Sequence, residues 1–228
     1  MKLYIANKNY SSWSLRPWVL MRTLGIAFEE SLKPFPMGGG ATGFESFSPT
    51  ARVPVLVDEG LTVWDTLAIT EYLAEKHPQV WPTDSSARAW ARSAAAEMHS
   101  GFTALRNHCP MSCGVRVELS APLSEGLLND LERLQALWQQ GLSEHGGPFL
   151  AGREFTAVDA FFCPVAFRVQ TYDLNLSAPC MAYVQTLLNL PAMQDWYAAA
   201  LQEPWLEPWH DEMVLAKGRL LQDYRSPT

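Results

Sequence analysis

Asn9-Tyr10-Ser11-Ser12-Trp13-Ser14-Leu15-Arg16 decides how this chain of 228 residues is read, because it stands between two different periodicities. Before it, Leu3-Tyr4-Ile5-Ala6 is a short apolar run of the kind a buried strand makes. After it, apolar residues recur at helical spacing from Ser14 through Leu24. The serines therefore fall at a strand-to-helix turn, where their hydroxyls are expected to meet the free N–H groups of the helix. Unsatisfied amides and the macrodipole both favour negative charge at such a start, so an anionic ligand atom is expected near Ser11. Taken alone, the segment reads first as a helix cap supplied by Ser11 or Ser12.

Two later segments bear on that choice. Ser48-Pro49-Thr50-Ala51-Arg52-Val53-Pro54-Val55-Leu56-Val57, a turn at Asp58-Glu59-Gly60 and the run Leu61-Thr62-Val63-Trp64 predict a hairpin. Proline donates nothing to a sheet ladder, so Pro54 belongs at the first position of its strand or in a cis turn. Either arrangement exposes the N–H and C=O of Val53 to a peptide-like ligand. Asp65-Thr66 then puts a carboxylate and a hydroxyl at the start of the helix Leu67-Ala68-Ile69-Thr70-Glu71-Tyr72-Leu73-Ala74. Capping explains either residue alone; it does not explain the order of the three features.

That order resembles the cytosolic glutathione transferase superfamily over nearly the whole chain. Ser11-Ser12-Trp13-Ser14-Leu15-Arg16 is similar to the serine motif of the zeta and tau classes, whose first serine stands five residues before an arginine, as Ser11 does before Arg16. Val53-Pro54 resembles the cis-proline turn of the family, and Asp65-Thr66 the acidic-plus-serine pair that holds the γ-glutamyl end of glutathione. Phe155-Thr156-Ala157-Val158-Asp159 is similar to the capping-box motif of the helical domain. Thr66 replaces the usual serine and keeps its hydroxyl; Trp13 stands where zeta members carry cysteine. The resemblance implies an α/β thioredoxin-like N-terminal domain followed by an all-α C-terminal helical domain, glutathione as co-substrate, a small-molecule electrophile and a two-fold homodimer. It also implies Ser11 or Ser12 as thiol activator, with Arg52, Val53, Pro54, Asp65 and Thr66 binding glutathione, Arg52 through its glycine carboxylate.

Composition leads independently to a globular protein. Hydrophobic residues make up 48% of the chain and a mass of 25.5 kDa suffices for a sizeable core. Net charge is −7 with a pI near 5.2, so neither nucleic acid nor an anionic membrane surface is an expected partner. No apolar stretch approaches the ~20 residues needed to span a bilayer, and Met1-Lys2-Leu3-Tyr4 leads into a strand rather than a signal-peptide core. The cytoplasm is the expected location. Cys109, Cys113, Cys163 and Cys180 have neither a disulfide framework nor zinc spacing and read as reduced thiols; with five scattered histidines, no metal site is expected.

Residues 1–80 read as strand, helix, strand, glycine-rich passage, hairpin and helix, which suits a mixed sheet in an α/β layer. Strand signals then vanish. Residues 81–87 are the expected linker and 88–228 the helical domain that forms the electrophile pocket. Ala91, Ala94, Met98, Phe102, Leu105 and Cys109 predict one long helix, Leu127, Leu131, Leu134, Trp138 and Leu142 another. Thr156 and Asp159 at cap-box spacing open a helix apolar on nearly all sides, hence central, with Pro164 inside it. Met193, Trp196, Tyr197, Ala200 and Leu201 mark one more.

The implied chemistry is thiol activation. Glutathione carries a cysteine-like thiol with a reference pKa near ~8.5, so only a small share is thiolate at neutral pH. A hydroxyl donor and a helix start at Ser11 favour the anion, and neither needs to lose a proton. Arg16, one turn into the helix, is placed to support the site but reads first as a surface or interdomain salt bridge. The electrophile pocket is expected between the domains, with Tyr10, Trp13, Met98, His99 and Phe102 as candidate walls, Phe102 reading rather as core, and the loop Pro34-Phe35-Pro36-Met37-Gly38-Gly39-Gly40 as a mobile rim. Two further readings stand beside the transferase: a glutathione-binding or regulatory protein without turnover, and a glutathione-dependent isomerase of the maleylacetoacetate type. A thioredoxin-like redox protein would need a cysteine near residue 11, and the first lies at position 109.

Overall fold

A computed structural model describes residues 1–36 and 43–226. Strand β1 (Lys2–Ile5) turns Leu3 and Ile5 into the core, both fully buried, and runs parallel to β2 (Glu29–Leu32). The predicted hairpin is present as β3 (Val55–Asp58) and β4 (Leu61–Val63), with Glu59 and Gly60 in the left-handed backbone that a tight hairpin turn requires. β3 lies antiparallel to β1, so the sheet order is β2-β1-β3-β4. Helix α1 (Ser12–Thr23) buries Leu15, Val19, Leu20 and Met21, and α2 (Thr66–Lys76) buries Ile69 and Leu73. This is the expected thioredoxin-like layer.

The remainder is mostly helical and is built around α6 (Ala157–Tyr172), in which every residue except Gln170 is buried. A reciprocal capping box between Thr156 and Asp159 starts it, as the spacing predicts. Pro164 sits inside the continuous helix and deprives the Ala160 carbonyl of its helical donor. α3 (Ser85–Ser100) and α7 (Ala178–Leu188) pack directly on α6, and α4 (Thr103–His108), α5 (Glu125–His145), α8 (Pro191–Leu201) and α9 (Pro208–Leu215) complete the helical part. The α/β layer docks on this bundle through α1: the Trp18 ring meets Trp196 of α8 edge-on at 5.0 Å, and the Arg16 guanidinium lies 5.2 Å from the Phe161 ring of α6.

Three expectations are corrected. The long helix over Ala91 to Cys109 is two, because the chain exits α3 at Gly101, where a side chain would lie 2.8 Å from the Glu97 carbonyl, and Phe102 then turns into left-handed backbone. Strands do not end at residue 80: β5 (Val115–Leu119) pairs antiparallel with β6 (Gly218–Asp223) in a two-stranded ribbon. Helix α3 starts at Ser85, capped by Asp84, so part of the expected 81–87 connector is helical.

Candidate functional site

The turn between β1 and α1 is closed on itself and held from outside. The Asn7 carbonyl accepts the amides of Tyr10 and Ser11 at 3.2 and 2.8 Å. The Glu203 carboxylate accepts the N–H of Lys8 at 2.6 Å and of Asn9 at 3.3 Å, and burial pushes that carboxyl up to about 7 even so. Asn9 Oδ1 accepts the Gly114 N–H at 2.8 Å. The Tyr10 hydroxyl accepts from the Glu207 amide and from Arg225 Nη1, and donates to Asp211.

So anchored, the turn presents two serines differently. Ser11, 6% exposed, donates its hydroxyl to Ser14 Oγ at 2.7 Å, and Ser14 Oγ also accepts the Ala6 N–H at 3.2 Å. No side chain caps α1, so the expectation that serine hydroxyls meet the helix amides is corrected: the buried Ser14 draws Ser11 away. Ser12 is half-buried and its hydroxyl has no hydrogen-bond partner among the described residues.

The Val53-Pro54 peptide is cis. Ser48 Oγ donates to the Arg52 carbonyl at 2.7 Å and accepts the Arg52 amide at 3.0 Å, which fixes the main chain just ahead of the turn. The β1–β3 ladder begins at Val55, leaving the N–H and C=O of Val53 outside it. At α2, Asp65 caps Leu67 N–H through one oxygen at 3.2 Å and approaches His99 Nε2 with the other at 3.4 Å. Thr66, fully buried, donates to the Trp13 carbonyl at 3.4 Å. That carbonyl is free because Pro17, four residues on, has no N–H to offer it.

These segments line adjoining recesses. One of about 320 Å³ is bounded by Arg52, Val53, Pro54, Asp65 and Thr66 with Trp13. The next, of about 260 Å³, brings Ser11 and Ser12 against Arg52 and Val53. Through Tyr10, Ser12 and Trp13 it adjoins a third of about 350 Å³ that also meets Arg106, Met111, Arg168 and His210. All seven predicted residues thus border two neighbouring recesses, but Ser11 and Ser12 share theirs only with Arg52 and Val53. Of the candidate walls, Tyr10 and Trp13 line the recesses, whereas Met98 and Phe102 are core. His99 stands behind Trp13, ring to ring at 5.2 Å, and burial lowers its pKa. Residues 37–40 of the expected mobile rim lie outside the described residues.

Arg16 overturns its reading as a salt bridge. It is 1% exposed, no carboxylate lies within 4 Å of it among the described residues, and its guanidinium rests 4.1 Å from the Trp13 ring centre. Burial, and then the neighbouring Arg168 and Arg106, hold its pKa well below the usual value. Arg106, Arg168 and His210 were not legible as site residues because each comes from a different element with no local motif. The four cysteines are free and buried, and burial pushes Cys109 up to about 12, so none is poised as a nucleophile.

A family model described as "Glutathione S-transferase, N-terminal domain" matches residues 10–76. A probable maleylacetoacetate isomerase of Caenorhabditis elegans is 26% identical over 197 residues, covering 83% of this chain and 89% of the relative. Glutathione S-transferase GstA of Escherichia coli O157:H7 is 29% identical over 163 residues, 67% of this chain and 75% of its own length. Among solved structures, a glutathione transferase homolog from Burkholderia gl BGR1 with bound glutathione superposes with a TM-score of 0.67 at 23% identity, over 87% of this chain and 97% of that one.

Proposed function

Because the chain belongs to the cytosolic glutathione transferase superfamily, we propose that it binds glutathione along the two adjoining recesses and activates its thiol with a serine hydroxyl for attack on small electrophiles. The observation that carries this reading is that the Ser11-Ser12 turn and the Asp65-Thr66 helix start border two adjoining recesses that share Trp13, Arg52 and Val53, whose main chain is free of the sheet ladder. The γ-glutamyl end meets Asp65 and Thr66, the cysteinyl main chain pairs with Val53 beside Pro54, and Arg52, exposed at the outer side, meets the glycine carboxylate.

Ser11 is the proposed donor. Its hydroxyl is buried at the first turn of α1, where water does not compete, and it needs only to rotate from Ser14 to a sulfur anion in the recess. Ser12 is the second candidate, since its hydroxyl is uncommitted and half-exposed. The sulfur then forms a bond to the electrophilic carbon while the leaving group departs with its electron pair. Glutathione-dependent isomerisation is the second reading, favoured by the isomerase relatives; it differs in that the sulfur adds and is later expelled. We place the protein in the cytoplasm as a homodimer, with the exposed Leu61 and Trp64 near the sheet edge available for the contact.

Calorimetric titration with glutathione, followed by a rate panel of aryl halides, peroxides and a cis-dienone, tests the reading. Binding with turnover of one class is expected. Absence of binding contradicts it, and binding without turnover selects the regulatory alternative.

A further inference from the structure

The third recess has a charge that the rest of the molecule does not lead one to expect. In a chain of net charge −7, Arg106 of α4 and Arg168 of α6 face the same cavity of about 350 Å³, and Arg16 lies directly behind its Trp13 wall. None of the three has a carboxylate within 4 Å among the described residues. Arg168 is buried and held rigid, with Nε donating to the Cys109 carbonyl at 2.7 Å and Nη1 to the Pro164 carbonyl at 3.2 Å. Arg106 has a buried Nε with no partner, as have Nε and Nη1 of Arg16, and the Arg106 guanidinium lies 5.6 Å from the Trp13 ring centre. The nearby carboxylates are engaged elsewhere: Asp65, whose charge reaches Arg16 from beyond salt-bridge distance, caps the Leu67 N–H at 3.2 Å and faces His99 at 3.4 Å, Asp130 accepts the Leu105 N–H at 2.8 Å, and Asp211 is held by Arg225 at 2.8 Å. His210 contributes no negative charge, with Nε2 at 2.8 Å from the Met111 carbonyl and a pKa lowered by burial.

Buried cations are ordinarily paired, because desolvation without a counter-charge costs several kcal/mol. The buried Arg168 and the half-buried Arg106 line one cavity with no carboxylate at salt-bridge distance among the described residues, and the buried Arg16 stands behind its Trp13 wall, a cluster of positive charge suited to an anion. Planar guanidinia suit carboxylates, and the aromatic Trp13, which borders the same recess, suits a flat, unsaturated body. We propose that this recess receives the carboxylate of the electrophile, with Arg106 and Arg168 as its partners, so that the preferred second substrates are carboxylate-bearing, flat electrophiles. The inference rests on the glutathione reading above: Ser12 and Trp13 border both this recess and the one containing Ser11, so an anion held at Arg106 leaves the electrophilic carbon on the sulfur side.

The test compares a chloronitrobenzoate with the matching chloronitrobenzamide. In both, the sulfur bonds to the ring carbon and chloride leaves with the electron pair, so only the charge differs. With each rate divided by that of the uncatalysed reaction, kcat/KM is expected to favour the carboxylate by about tenfold or more. In Arg106→Gln the ratio falls toward one, and in Arg106→Lys it is partly kept. Calorimetry on the glutathione-loaded protein with the corresponding nitrobenzoate and nitrobenzamide, which lack the chloride leaving group, gives the same comparison without turnover: the benzoate binds more tightly than the benzamide, and Arg106→Gln removes the difference. An equal or inverted preference, or one that survives in Arg106→Gln, overturns the proposal. So does weakened glutathione binding in Arg106→Gln with the benzoate preference intact, because the arginines then serve a carboxylate of glutathione. Failure of the wild-type chain to bind glutathione at all is a different result, and it removes the underlying reading instead.

Discussion

A hydroxyl assists a thiolate only through its proton, and the Ser11 proton is directed at Ser14. Activation therefore requires one rotation about the Cβ–Oγ bond, a small motion compared with the gain from a desolvated hydrogen bond to an anion. Ser11→Ala is expected to cut kcat by about a hundredfold while glutathione affinity changes by about threefold or less; Ser12→Ala should cost much less. Steady-state rates and calorimetry on both variants check this, and the reverse order would transfer the role to Ser12. Thr66 stands at another single-residue junction, since its hydroxyl replaces the donor that Pro17 withholds from the Trp13 carbonyl. Thr66→Val leaves that carbonyl unpaired and should destabilise the fold by about 1–3 kcal/mol, read from urea unfolding.

At the scale of elements, the strongest local determinant is the start of α6. Asp159 is fully buried, and its oxygens accept the amides of Leu150 and Thr156, both at 3.0 Å, and the Tyr183 hydroxyl at 2.9 Å. Burial pushes its carboxyl up to about 6 against those bonds. Asp159→Ala strands these donors, together with the Thr156 hydroxyl that donates to it at 3.4 Å, and should cost about 3–5 kcal/mol, lowering the denaturant midpoint with the slope unchanged. This motif was legible in the sequence because it is local, as were the hairpin at Glu59-Gly60 and the apolar stripes of α5 and α8. The ribbon of β5 and β6 was not, since Val115 finds Asp223 far along the chain and β6 is mostly exposed. The break at Gly101-Phe102 was hidden because apolar spacing continues across it. In the site, the Ser11, Val53-Pro54 and Asp65-Thr66 segments could be read as short motifs. The arginines come from α1, α4 and α6 and acquire meaning only when those helices pack.

For the whole molecule, the two halves are tied at the site turn by a carboxylate whose charge state changes near neutrality. Glu203, just after α8, accepts the Lys8 and Asn9 amides, and its folded pKa of about 7 exceeds the ordinary value of 4.5. A raised carboxyl binds its proton more tightly in the folded state. Its contribution to stability is therefore complete below about pH 4.5 and is lost as pH rises through about 7. Between about pH 5 and pH 8 this group should remove on the order of 2 kcal/mol of stability, a loss that Glu203→Gln abolishes. Thermal unfolding of both proteins across that range checks the sign; an equal pH response would detach Glu203 from the effect. Assembly belongs to the same scale, and light scattering should give twice the 25.5 kDa chain mass.

The central claim concerns the acidity of one thiol, and it is measured most directly by titrating the ultraviolet thiolate absorbance of glutathione bound to the wild-type protein and to Ser11→Ala. The account predicts a bound thiol pKa at least about one unit below the reference of ~8.5 in the wild type, and a rise of about one unit or more in the variant. A bound thiol that titrates at its free value, or at the same pH in both proteins, would contradict it.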